Sequence, residues 1–156
     1  MLKLSRMTDY AVVVLSQMAQ HQGDCLTAQD LTELTALPQP TVAKVLKSLA
    51  RSSVVDSRRG TLGGYVLDRA AEDVSVAEII AAIDGPVALT ACVDGHEGDC
   101  TVESLCPMRG RWDMLNTAVL AALESVSLAQ IAAMPGNPDF FMTAEERSAT
   151  EDLRNL

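Results

Sequence analysis

Apolar residues recur at helical spacing through the first fifty positions. Ala11, Val14, Leu15 and Met18 share one face, and Thr8-Asp9 offers a start signal, so a first helix is predicted to end near Gln20, before His21-Gln22-Gly23-Asp24. A second, shorter helix is predicted after Thr27, running to about Ala36 with Leu31 and Leu34 inward. Leu37-Pro38-Gln39-Pro40 breaks that helix and opens a third, because proline suits a first helical turn. The third runs from about Pro40 to Ala50. Its Val42, Val45, Leu46 and Leu49 follow the spacing of a core face. Thr41, Lys44, Ser48 and Arg51 fall on the opposite face, and Gln39 lies near its start.

Residues 54–57 and 65–67 then read as two short strands flanking Arg58-Arg59-Gly60-Thr61-Leu62-Gly63-Gly64, which predicts a hairpin with an arginine- and glycine-rich turn. Ser75-Val76-Ala77-Glu78 reads as a capping box for a short helix to about Ile83, stopped by Asp84-Gly85-Pro86. A long helix is predicted from Pro107 to about Ser125. In it Met108, Trp112, Leu115, Val119, Ala122 and Val126 alternate spacings of four and three, as in a coiled-coil seam. Met114, Ala118, Ala121 and Leu123 widen that apolar surface, which could pack on its own domain or against a second copy. Residues 128–134 add a short turn of helix. From Pro135 the sequence is polar, acidic and punctuated by proline and glycine, as in a flexible tail.

Two short helices joined by a tight turn, the second presenting polar and basic groups, followed by a hairpin, predict a winged helix-turn-helix. The fold class is therefore mainly α with a small β-hairpin. The expected layout is a DNA-binding domain over 1–85, a cysteine-bearing loop over 86–106, a dimerisation helix and following turn over 107–134, and an acidic tail over 135–156.

Charge strengthens the DNA reading. The net charge is −9, but residues 1–70 carry eight Lys/Arg against six Asp/Glu, whereas residues 71–156 carry four against fifteen. Residues 38–70 alone hold six basic and two acidic residues. A basic front and an acidic back fit a chain that meets a polyanion with one face. Aromatics are 3% of 156 residues, so the core must be aliphatic. The first residues lack the apolar region and cleavage site of a signal peptide, and no stretch approaches a membrane span, so a cytoplasmic protein without membrane contact is expected. No phosphate-binding glycine loop or catalytic-triad spacing points to an enzyme.

Cysteine usage adds a second chemistry. Cys92, Cys100 and Cys106 lie within fifteen residues, separated by seven and five, on a segment loosened by Gly95 and Gly98. In a reducing compartment such a triplet argues for metal or redox chemistry rather than disulfides. Thiolates suit iron–sulfur clusters, zinc or copper(I). Three readings stay open from the residues alone. They are a cluster site, a cluster-free thiol sensor, and a structural zinc site of Cys92, His96, Cys100 and Cys106 that would leave the chain an interaction module. Cys25 stands outside the triplet and reads as a small buried hydrophobe.

Met7-Thr8-Asp9-Tyr10-Ala11, Leu37-Pro38-Gln39-Pro40-Thr41-Val42, Ser57-Arg58-Arg59-Gly60-Thr61-Leu62-Gly63-Gly64-Tyr65 and the spaced cysteines together resemble the iron–sulfur-sensing winged-helix repressors. That family includes the Isc-operon regulator, the SUF-system regulator, the rhizobial iron regulator and the nitric-oxide-sensing nitrite repressor. The resemblance covers about residues 1–130, and the opening residues look closest to the SUF-system branch. It implies a homodimer on an inverted-repeat operator. Gln39, Thr41 and Lys44 would lie near base edges, and Ser48 and Arg51 toward phosphate. Arg58, Arg59 and Gly60 of the wing would meet the DNA, Arg59 in the minor groove. The resemblance also implies an iron–sulfur cluster on Cys92, Cys100 and Cys106, [4Fe–4S] favoured over [2Fe–2S]. Isc-type members carry a histidine three residues after the last cysteine. Arg109 stands there instead, and a guanidinium cannot ligate iron. Members that use an aspartate from the partner's first helix point to Asp9 as fourth ligand. Asp9 could equally be only a helix-start charge, and His96, Asp94 and Asp99 are local competitors.

Overall fold

The computed structural model describes residues 4–60, 63–90, 93, 107 and 110–133. In chain order the elements are α1 (Arg6–Gln20), α2 (Ala28–Thr35), α3 (Gln39–Arg51), β1 (Asp56–Arg58), β2 (Gly64–Val66), a 3-10 turn (Ala71–Asp73), α4 (Val76–Asp84), α5 (Arg111–Glu124) and α6 (Leu128–Ala132).

Helix α1 starts earlier than its pattern suggests. Ser5 is the cap, its hydroxyl accepting from the Thr8 backbone N–H at 3.2 Å. Thr8 was the expected cap, but it is buried and its hydroxyl donates to Asp84 Oδ2 at 2.7 Å. The Ser5 N–H donates to the same oxygen at 3.2 Å. A contact across the fold has therefore taken the side chain that local sequence assigned to a cap. Burial disfavours the Asp84 carboxylate, but the hydrogen bonds from Ser5 and Thr8 outweigh it and hold its pKa below the ordinary value. This tie between α1 and α4 is thus present above the carboxylate range and is lost as the pH falls through it.

Helix α2 opens with a reciprocal capping box between Thr27 and Asp30. It ends at Ala36, whose φ of 55° turns the chain left-handed toward Pro38 and α3. Val42, Val45, Leu46 and Leu49 of α3 are fully buried, as their spacing predicts. They pack with Ala11, Val14, Leu15 and Met18 of α1, Leu31 of α2 and Ile79 of α4 in one aliphatic cluster. Burying such side chains is worth roughly 1.5–3 kcal/mol each against exposure.

The hairpin pairs Asp56 with Val66, Ser57 with Tyr65 and Arg58 with Gly64, antiparallel. The expected strands at 54–57 and 65–67 are shifted. Val54 and Val55 are buried in the helical core, so pairing begins only at Asp56. Leu26 bridges Tyr65 through two backbone hydrogen bonds, of 2.9 and 2.8 Å, and so fastens the wing to the link between α1 and α2. Gly64 permits this approach, since a Cβ there would lie 2.6 Å from the Leu26 carbonyl oxygen.

Ser75 caps α4 by accepting from the Glu78 N–H at 3.2 Å. The expected box is only half made, because the Glu78 carboxylate bonds the Arg69 guanidinium instead. Helix α5 begins at Arg111 rather than Pro107, since Gly110 precedes it at a left-handed φ of 75°. Beyond α5 the chain returns to the body. Val76 donates to the Val126 carbonyl at 2.9 Å, and Leu128 donates to that of Val74 at 2.8 Å. Ser127 caps α6, and Leu128 is fully buried in the same aliphatic cluster. Met108, the first residue of the proposed seam, lies outside the described residues.

Candidate nucleic-acid interface

Helix α3 sorts its residues by hydropathy. With one side held in the core, Gln39 and Lys44 are left exposed and Thr41 and Ser48 half-buried, with Arg51 exposed at the C-terminal end. Lys47 is exposed too and belongs with this set. Its signal was its place one turn from Lys44 on a helix whose inward face is complete without it. Neither Lys44, Lys47 nor Arg51 has an ion-pair partner among the described residues.

Arg58, Arg59 and Gly60 are exposed at the wing. Gly60 has φ 118°, and its carbonyl accepts from the Gly63 N–H at 3.0 Å, which reverses the chain there. A Cβ on Gly63 would sit 2.6 Å from the Arg58 carbonyl oxygen, so this turn needs glycine for reasons internal to the protein. The bridge through Leu26 ties the wing to the α1–α2 link just ahead of the helix-turn-helix. The basic residues of α3 and of the wing thus stand on one anchored body. Such an arrangement offers an amphipathic helix for a major groove and arginines for phosphate or a minor groove.

Cys92, Cys100 and Cys106, with His96, Asp94 and Asp99, lie outside the described residues. Among the described residues no group of three His, Cys, Asp or Glu side chains gathers. Asp9 is exposed in the first turn of α1, in a hollow lined by Leu4, Ser5, Arg6, Thr8, Val12 and Ile131. Cys25 is half-buried at the foot of the wing, where a Cβ on Gly64 would lie 3.1 Å from its sulfur.

Sequence reasoning missed Asn116. It is the one buried residue of α5, its Oδ1 accepting from the Leu89 N–H and its Nδ2 donating to the Val87 carbonyl, both at 3.0 Å. It thereby fastens α5 to the chain that leads into the cysteines. Val93 is buried immediately after Cys92. Alanine at position 116 should lower stability by about 1–3 kcal/mol, because two backbone groups lose their partner. Chemical denaturation measures this, and an unchanged midpoint would contradict it.

The outer surface of α5 is apolar. Trp112 is 37% exposed, Met114 76% and Leu115 47%. No helix of the described residues is long and apolar enough to cross a membrane.

Comparison with known proteins agrees with this architecture. The family profile described as "Rrf2: Iron-dependent Transcriptional regulator" matches residues 4–134. An rrf2-like HTH-type transcriptional regulator of Rhodobacter capsulatus is 30% identical over 137 residues, covering 83% of this chain and 91% of that protein. The HTH-type transcriptional regulator IscR of Photorhabdus laumondii is 30% identical over 131 residues, covering 83% of this chain and 79% of that protein. In three dimensions the chain resembles CymR (YrzC), the global cysteine regulator of B. subtilis, with a TM-score of 0.64 at 23% identity, covering 87% of this chain and all of that one. A helix-turn-helix with a wing, matched from its first helix to its last, makes this chain a DNA-binding transcriptional regulator and not an enzyme, and it belongs to the Rrf2 family.

Proposed function

We propose that this regulator acts as a homodimeric repressor whose affinity for an inverted-repeat operator is set by an iron–sulfur cluster at Cys92, Cys100 and Cys106. The observation that carries the reading is the cysteine triplet placed between α4 and α5, on a chain that Asn116 fastens to the helix with the exposed apolar surface. The donor set suits the group, since three soft thiolates match iron–sulfur chemistry and leave one position for a harder ligand. Asp9 of the partner subunit would fill that position, a role compatible with its exposure in the first turn of α1. When bound, the cluster supplies a centre that responds to oxygen, nitric oxide or iron supply. The protein's own groups do the rest. The thiolates hold the centre, Asn116 links its approach to α5, and the basic faces of α3 and the wing meet the operator.

In the DNA complex Gln39, Thr41 and Lys44 would read base edges, and Lys47, Ser48 and Arg51 would meet phosphate. Arg59→Ala should weaken operator binding and lower the slope of log affinity against log salt by about 0.9. Gln39→Ala or Thr41→Ala should instead relax sequence preference, at a cost of roughly 1–3 kcal/mol on the preferred site. Unchanged affinity and slope for Arg59→Ala would remove Arg59 from the interface.

The whole reading is tested by purification without air, with absorbance, iron and sulfide analysis and operator footprinting before and after cluster loss. A brown protein whose footprint changes on cluster loss supports it. Colourless protein holding zinc would replace the cluster by a structural metal. A metal-free protein whose footprint follows thiol oxidation would make it a thiol sensor.

A further inference from the structure

The two arginines at the wing differ in their partners. Arg58 donates from Nη2 to both carboxylate oxygens of Asp68, at 3.3 Å each. Arg59, the next residue, has no ion-pair partner among the described residues. The Arg58–Asp68 pair is open to solvent, with the side chains 55% and 46% exposed. Arg58 faces Gly64 in the strand ladder, which has no side chain to engage it, and Asp68 follows directly on the buried pair Val66 and Leu67 at the foot of the hairpin. The charges over residues 56–68 are Asp56, Arg58, Arg59 and Asp68, so the wing is neutral as a unit. A neutral wing exerts little pull on a polyanion from a distance.

We propose that Asp68 is a positioning residue that holds Arg58 back from DNA, so that a phosphate must displace the carboxylate before Arg58 can contribute. This rests on the wing touching DNA. The exchange is chemically even, because phosphate accepts a guanidinium fork as carboxylate does. It is also accessible, because an exposed ion pair is weakly held. Breaking the pair costs every complex alike, so Asp68 lowers the wing's affinity for DNA of any sequence and leaves discrimination to the base contacts of α3.

The experiment uses the full-length protein and a labelled random-sequence DNA duplex, titrated across a range of salt. Asp68→Asn removes the charge and keeps the side-chain shape. It should tighten random-DNA binding by about three- to tenfold at low salt and steepen the salt slope by about one ion, with the gain fading as salt rises. Arg58→Ala should weaken binding. In the Arg58→Ala background the gain from Asp68→Asn should largely vanish, because Asp68 acts through Arg58. An equal gain in both backgrounds would overturn the proposal, since Asp68 would then merely repel DNA by itself. So would a normal loss for Arg58→Ala with no effect of Asp68→Asn. If Arg58→Ala and Arg59→Ala both leave affinity and slope at parental values, the DNA-contacting wing itself fails, and this proposal with it. Thermal unfolding of each variant separates these outcomes from loss of the hairpin.

Discussion

Alanine at Cys92, Cys100 or Cys106 is expected to abolish stable binding of iron and sulfide and leave the winged helix folded. Two thiolates and a carboxylate cannot replace three soft ligands, and the vacated position falls to water, which exchanges readily. The fold should survive because, among the described residues, the aliphatic cluster is drawn from α1 to α4, the links around the hairpin and α6. Absorbance and iron and sulfide content of anaerobically prepared protein measure the first effect, and thermal unfolding the second. Cys25→Ala is the control. Its sulfur lies by Gly64 at the foot of the wing, so cluster content should equal that of the parent. Full cluster content in any triplet variant would remove that cysteine from the ligand set. Asp9→Ala should still take up iron and sulfide but lose them faster in air, and decay at the parental rate would send the search to His96, Asp94 and Asp99.

Trp112→Asp is expected to convert dimers to monomers and to lower affinity for a palindromic site by about a hundredfold or more, since two linked readers become two independent ones. Within one protomer Trp112 is 37% exposed and its neighbours Met114 and Leu115 are more so. An aspartate there meets solvent in the monomer and costs little. Across a dimer seam the same carboxylate would be buried without a partner, which costs several kcal/mol. The variant should therefore stay folded while sedimenting as a monomer, losing only the stability that dimerisation lends the parent. A fully dimeric Trp112→Asp protein would place the interface elsewhere.

The helical half of the fold was legible because its signals are local. On α3 the spacing of Val42, Val45, Leu46 and Leu49 named the buried face without error, and Thr27 and Ser75 marked two helix starts. The misses share one cause, contacts between residues far apart in sequence. Thr8 caps nothing because Asp84 takes its hydroxyl. Glu78 leaves its capping box because Arg69 is within reach. Val54 and Val55 look like strand residues but fill space under the helices. The exposure of the basic residues of α3 was legible because its core face dictates what remains outside, Lys47 included. Asn116 gave no signal, because α5 is apolar on most sides and a lone amide among such residues does not reveal which backbone it will meet.

Leu128 has a consequence for how the chain can be divided. It lies beyond the cysteines and beyond α5, yet it is sealed in the core shared by α1 and α3, and the backbone beside it bonds to Val74 and Val76. Residues 85–125 are therefore topologically an insertion in the DNA-binding body rather than an appendage to it. Truncation ahead of Leu128 would remove a piece of the core and leave a void, so the DNA-binding body cannot be excised from residues 85–125 at a single cut. The insertion is joined to the body on both sides of α4, through Asp84 at one end and Val126 at the other. Any strain raised within it enters the DNA-binding body by two doors at once.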